Sequence, residues 1–183
     1  MQTTLDILGS MFLFGILVLS MTTLNAVAYD SLYETNISSI AQEDLTDVER
    51  IADYDFLKIG YRKSGTKLDT SRCSSSSVMW YTDANRDGVI DTVGYFIAPS
   101  DSTILYRNNN GTSEIVRPGV ISFGVSYYDS TGTPLSPPTG ATSAARVRGI
   151  GIRLHFRVPD YKLPGKENEA YLDKRWFPRS LQP

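Results

Sequence analysis

Cysteine and histidine occur once each in this chain of 183 residues, as Cys73 and His155. A lone thiol excludes an intrachain disulfide, so packing and hydrogen bonds must hold the fold, and the thiol itself is expected to be a small, buried, inert side chain. A lone imidazole excludes a multi-histidine metal site within one chain and leaves one candidate base. His155 alternates with Arg153 and Arg157 on what reads as the polar face of a strand, an exposed place with no dyad partner in view. Also missing are a Walker phosphate loop, a dinucleotide glycine fingerprint and a Gly-x-Ser-x-Gly nucleophile elbow. Together these absences predict that the protein is not an enzyme and has no catalytic residues.

Basic side chains are scarce at the start: residues 1–55 hold nine acids and the single base Arg50, a charge of −8. Residues 56–183 carry seventeen Lys and Arg against eleven Asp and Glu, or +6. Such a polarity lets an acidic stalk on one copy lie against a basic head on another, or leaves two separately solvated surfaces. No charge occurs among the twenty-three residues from Ile7 to Tyr29, and no proline interrupts residues 1–59. About 20 apolar residues suffice to cross a bilayer as a helix.

Three readings fit that segment. Ala26-Val27-Ala28 resembles a signal-peptidase site, but a signal peptide needs a basic n-region, and here the nearest charge is the acid Asp6. A plain membrane anchor is the second, although no Lys or Arg before Arg50 orients it. The third starts from Asp6, an ionisable group at the edge of an apolar helix that is costly in lipid unless partnered, with an α-amino group as its natural partner. Beyond the span, Tyr33, Ile37, Ile40, Ala41, Leu45, Val48, Ile51 and Ala52 recur at helical steps between acids. The helix is therefore expected to run from about residue 5 to 59 and to stop at Gly60. This divides the chain into a hydrophobic segment 1–29, an amphipathic continuation 30–59 and a head, 60–183.

In the head the period changes from helical to alternating. Ile121, Phe123, Val125 and Tyr127 are expected to share one strand face; so are Ile150, Ile152, Leu154, Phe156 and Val158 on a second strand with a basic outer side. Asn110-Gly111 separates Thr103–Arg107 from Thr112–Val116, and Asp87-Gly88 separates Val78–Tyr81 from Val93–Ile97, two hairpin signals. Five or six antiparallel strands follow. The stretch from Asp129 through Pro134, Pro137 and Pro138 to Gly140 reads as a mobile exposed loop, and the tail from Lys162 as one short turn around Glu167–Lys174 before an extended end. The fold class is α+β, a long N-terminal helix on an antiparallel β head.

Leu5-Asp6 ahead of an apolar run, the Ile51–Tyr61 helix end, Leu105-Tyr106-Arg107, Val120-x-Ser122-Phe123-x-x-x-Tyr127 and the final alternating strand follow in an order that resembles type IV pilin-like proteins, among them minor pilins and type II secretion pseudopilins. The resemblance implies a structural subunit with a single pass through the inner (cytoplasmic) membrane and an extracytoplasmic head, later packed into a cell-surface filament or periplasmic pseudopilus. It implies that Asp6 meets the N-terminal amine of a neighbour during assembly. Its partners are then membrane lipid first and other copies or related subunits afterwards. A membrane-anchored ligand-binding domain that does not polymerise is the alternative.

One motif carries metal chemistry. Asp83, Asn85, Asp87 and Asp91 place oxygen side chains at the first, third, fifth and ninth positions of a calcium-type loop, with Gly88 at the sixth. The twelfth position is Gly94, not the bidentate Glu of an EF-hand, and the same residues also suit a plain hairpin turn. Calcium is thus the one candidate cofactor. Arg146, Arg148, Arg153 and Arg157, with Tyr127 or Tyr128 for stacking, form a basic stripe, yet a pI near 5.4 makes nucleic acid an unexpected main partner. Asn36-Ile37-Ser38 and Asn110-Gly111-Thr112 match the glycosylation pattern.

Overall fold

The computed structural model describes residues 2–159 and 167–182. One long helix, α1 (Gln2–Leu57), leads into β1 (Ser77–Thr82), β2 (Asp91–Ala98), β3 (Asp101–Asn109), β4 (Thr112–Pro118), β5 (Val120–Tyr128), β6 (Pro134–Leu135), a single turn α2 (Ala141–Ala144), β7 (Gly149–Pro159) and β8 (Glu167–Trp176). The strands form two antiparallel sheets, ordered β1-β2-β3-β4 and β6-β5-β7-β8. The expected α+β class, one long apolar helix with an antiparallel head, is the observed one. Two compact units are distinguished, one ending at Ile40 and one beginning at Ala41.

In the first unit the helix carries large apolar side chains on every side. Leu5, Phe12, Leu19 and Val27 are 67–69% exposed, and the helix is long and apolar enough to cross a membrane. In the second unit the helix is amphipathic. Ala41, Val48, Ala52 and Phe56, four to seven residues apart, turn into the core and pack on both sheets. Phe56 has no exposed surface; its ring stacks on Trp176 of β8 at 4.5 Å between centroids and meets Trp80 of β1 at 4.9 Å and Tyr95 of β2 at 5.8 Å. One helical side chain thereby joins the two sheets. The helix stops at Leu57, two residues before the expected end, in tight turns leading to Gly60 at φ +69°.

Both expected hairpins form. Asn110 and Gly111, at φ 52° and 87°, supply the paired left-handed conformations that a two-residue β-turn requires. Ile150, Ile152, Leu154, Phe156 and Val158 all point inward, as alternation predicts. Four expectations are corrected. There are eight strands among the described residues, not five or six. Glu167–Lys174 belongs to β8 and is not a turn: Ala170, Leu172 and Trp176 face the core, and Lys174, which breaks the apolar period, faces the helix acids instead. The part of the tail expectation at 162–166 lies outside the described residues. The segment after Tyr128 is not plain loop, because Pro134–Leu135 pairs with β5 and Ala141–Ala144 makes a helical turn. Ile121 is 38% exposed: a register shift between Val120 and Ser122 rotates Val120 inward in its place.

Because Phe56 is fully buried between aromatic rings of both sheets, Phe56→Ala in the full chain, held in detergent micelles, should destabilise the head by about 3–5 kcal/mol, the usual cost of emptying a buried phenylalanine site. Thermal unfolding followed by tryptophan fluorescence measures it. A loss comparable to that of a surface substitution would contradict the assignment of Phe56 as the joint.

Candidate functional site

The acids of the helix meet the bases of the head within the same chain. Asp44 pairs with Arg117 at 2.6 Å, Glu49 and Asp53 share Lys174 at 2.5 and 2.8 Å, and Asp55 takes Arg107 through two hydrogen bonds of 2.6 and 3.0 Å. Asp55 is 4% exposed, so this planar two-bond pairing, completed by the Tyr95 hydroxyl at 2.7 Å, is what makes its burial tolerable. Burial and the Asp55 charge push the Tyr95 phenol well up, and Asp55 likewise raises Arg107. Separately solvated stalk and head surfaces are therefore not what forms in the unit from Ala41 onward. Sequence reasoning saw the polarity but not that one chain consumes much of it.

Asp53 balances opposing effects. Burial pulls its carboxyl up, and donors from Lys174 and from the Trp176 indole, the latter at 2.6 Å, outweigh it and leave it below the ordinary carboxylate range. Hydrogen bonds from Lys174 to Asp53 and Glu49 raise the lysine.

The four residues of the calcium-type loop divide into two pairs. Asp83 is fully buried; its Oδ2 accepts from Arg62 Nη1 at 3.0 Å and from the Gly88 amide at 3.2 Å. Asp91, also buried, accepts from the Ala84 amide at 2.9 Å and from the Asn110 side-chain amide. Asn85 and Asp87 lie exposed and bond each other at 2.8 and 3.0 Å, and the Val89 amide donates to Asp87 at 2.7 Å, which holds that carboxyl below its ordinary value. Among the described residues no three His, Cys, Asp or Glu side chains are grouped so as to hold a metal ion. The loop offers a cation one buried oxygen without a protein partner, Asp83 Oδ1, while the oxygens of Asp87 and Asp91 each already accept a hydrogen bond. The Asn110 amide nitrogen, wanted by a glycosylation reading, is engaged by Asp91.

His155 Nε2 lies 2.9 Å from Glu169 Oε2, with the ring edge-on to Tyr171 at 6.2 Å. Ser122 sits opposite His155 in the strand register, but no hydrogen bond joins them among the described residues, and the face is open to water. This pair orients a ring without activating a nucleophile. Of the arginine stripe, Arg148 is turned to the Ala145 and Val147 carbonyls, Arg157 lies 4.0 Å from Glu169, and Tyr127 is buried, so its ring offers no stacking surface. Cys73 is partly buried; burial raises its thiol, which donates to the Met79 carbonyl at 3.5 Å. Asp6 lies exposed in the apolar unit.

No family model matches the chain, and no curated protein matches it.

Two expectations follow. A depressed Asp53 contributes stability that is full above its unfolded pKa of about 4 and is lost as pH falls through the lower folded value. A raised Lys174 contributes stability that is full below about pH 10 and is lost as pH rises through its folded value. Asp53→Asn should therefore lower the melting midpoint at neutral pH and flatten the decline below about pH 4; an unchanged acid limb would contradict the pairing. Coordination in the Asp83–Asp91 loop has to compete with existing hydrogen bonds, and among the described residues no three acidic, His or Cys side chains converge on a cation, so the midpoint of the full chain should be the same in chelator and in excess calcium. A rise in calcium that vanishes in Asp87→Ala would contradict this.

Proposed function

We propose that the protein is a structural, non-enzymatic subunit of a type IV pilus-like filament or pseudopilus, held in the inner membrane by its apolar helix and assembled through that same helix. One observation carries the reading. A single uninterrupted helix is bare and apolar over its first unit, and over its last turns it is fastened to the head by buried aromatic stacking and by the Asp55–Arg107 pair. A tether needs only the first property. A helix that must carry load from a packed core to a head needs both, because displacing it would break a buried ion pair and empty the Phe56 site. Lipid covers the bare part before assembly, and equally apolar helices of other subunits cover it afterwards.

Asp6 is the discriminating residue. In the membrane its carboxylate is costly unless paired, and the amino terminus of an adjacent subunit supplies the opposite charge at matching depth. The alternative, an anchored binding domain, has no need of this acid. Asp6→Ala should abolish or strongly slow polymer formation while membrane localisation and the head's melting midpoint stay unchanged. Sedimentation and negative-stain microscopy of membrane extracts read the polymer; normal assembly of the variant would remove the role given to Asp6.

A further inference from the structure

The outer face of the β6-β5-β7-β8 sheet carries a shallow groove of about 330 Å³ lined by Ser126, Tyr128, Gly151, Arg153, Asp173 and Arg175, among others. Strand alternation puts these residues opposite Trp176 and Leu172, which face the core. The groove is layered. A side chain at Gly151 would meet the Tyr128 ring at 3.0 Å, so the glycine is what lets Tyr128 lie against the strand, and the Arg175 guanidinium sits over that ring at 4.6 Å. Stacking fixes the plane of Arg175 while leaving its N–H donors free.

Arg153 stands beside it, between Gly124 and Asp173 in the register. Nothing lies within 4 Å of where a Gly124 side chain would begin, so the strand position opposite Arg153 is open. Although Arg153 and Asp173 face each other across the strands, they form no ion pair among the described residues. The wall formed by the turn at Gly132 is held by Asp129, whose Oδ1 accepts from the Thr131 and Thr133 amides at 2.8 and 2.9 Å. Two guanidiniums, Arg175 oriented by its stack on Tyr128 and Arg153 without an ion pair among the described residues, therefore border an open space, with the Asp173 carboxylate and the Ser126 hydroxyl as acceptors.

We propose that this groove binds a carboxylated polysaccharide of the uronic-acid kind. Paired guanidiniums match the planar, two-oxygen geometry of a carboxylate. Asp173 and Ser126 accept from sugar hydroxyls, and the exposed Tyr171 and Phe177 rings offer apolar contact for sugar C–H faces nearby. Alternating charge decides against nucleic acid. Asp173 and Glu169 sit among Arg153, Arg157 and Arg175 on this face, which opposes a chain bearing a phosphate at every residue and suits one whose carboxylates are spaced by neutral hydroxyl-bearing positions. The site needs only the folded head and does not depend on assembly.

The test measures binding of oligogalacturonate, neutral maltooligosaccharide and oligothymidylate to the full chain in nonionic detergent. Oligogalacturonate should bind. Arg153→Ala and Arg175→Ala should each weaken it roughly tenfold or more, as loss of a charge-assisted hydrogen-bond pair does, without moving the melting midpoint. High salt should weaken it too. Asp173→Ala should also weaken it, whereas a general anion-attracting face would bind more tightly once that acid is gone. Arg153 makes no ion pair among the described residues, so its variant keeps the test decisive even if Arg175→Ala disturbs Tyr128. The proposal is overturned if oligogalacturonate does not bind, if maltooligosaccharide binds equally, if both arginine variants bind normally, or if oligothymidylate binds as well or better.

Discussion

The Asp55 carboxylate, 4% exposed and gripped by Arg107 and Tyr95, sets the rotation of the helix on the head. A buried carboxylate without these donors would be prohibitively costly, so the helix can dock only where they are met. Once Asp55 is placed, Phe56 beside it must enter between Trp176 and Trp80, and Ala52, Val48 and Ala41 follow on the same side at helical steps. The flanks are then determined as well. Asp53 and Glu49 fall to Lys174 and Asp44 to Arg117. These outer pairs are partly exposed and individually weak; they sharpen an orientation that the buried pair and the aromatic stack already enforce.

Much of this architecture was legible in the residues themselves. The helix announced itself through the long uncharged run and the helical spacing after it, and the strands through strict alternation at Ile150–Val158 and the Asn110-Gly111 turn. β8 was missed for an identifiable reason: Lys174 occupies an inward position, and its charge is acceptable there only because Glu49 and Asp53 lie opposite, more than a hundred residues away in the chain. Ile121 was misplaced because a bulge shifts the period by one, which no local pattern reveals. The short strand at Pro134–Leu135 is too brief to carry a period and exists only through its pairing with β5.

The candidate sites divide along the same line. Spacing marked the Asp83–Asp91 stretch as a turn, and a turn it is, yet spacing could not foresee that Asn110, from a different hairpin, engages Asp91, or that Arg62 reaches Asp83. The groove around Arg153 and Arg175 needed three strands in register before it could be recognised, since Tyr128, Gly151 and Arg175 are far apart in the sequence. A head that packs onto its helix through its inner face has its outer sheet face left over, so the proposed assembly and the proposed sugar binding would use different surfaces of one chain.

The central claim is that the bare apolar helix is a means of assembly and not merely a tether. Electron cryo-microscopy of the native protein, released gently from its membranes, tests it most directly. The account predicts helical filaments with the apolar helices packed together along the axis and the β heads outside. Isolated single chains, each with its helix still in detergent or lipid and no polymer under any extraction condition, would contradict it.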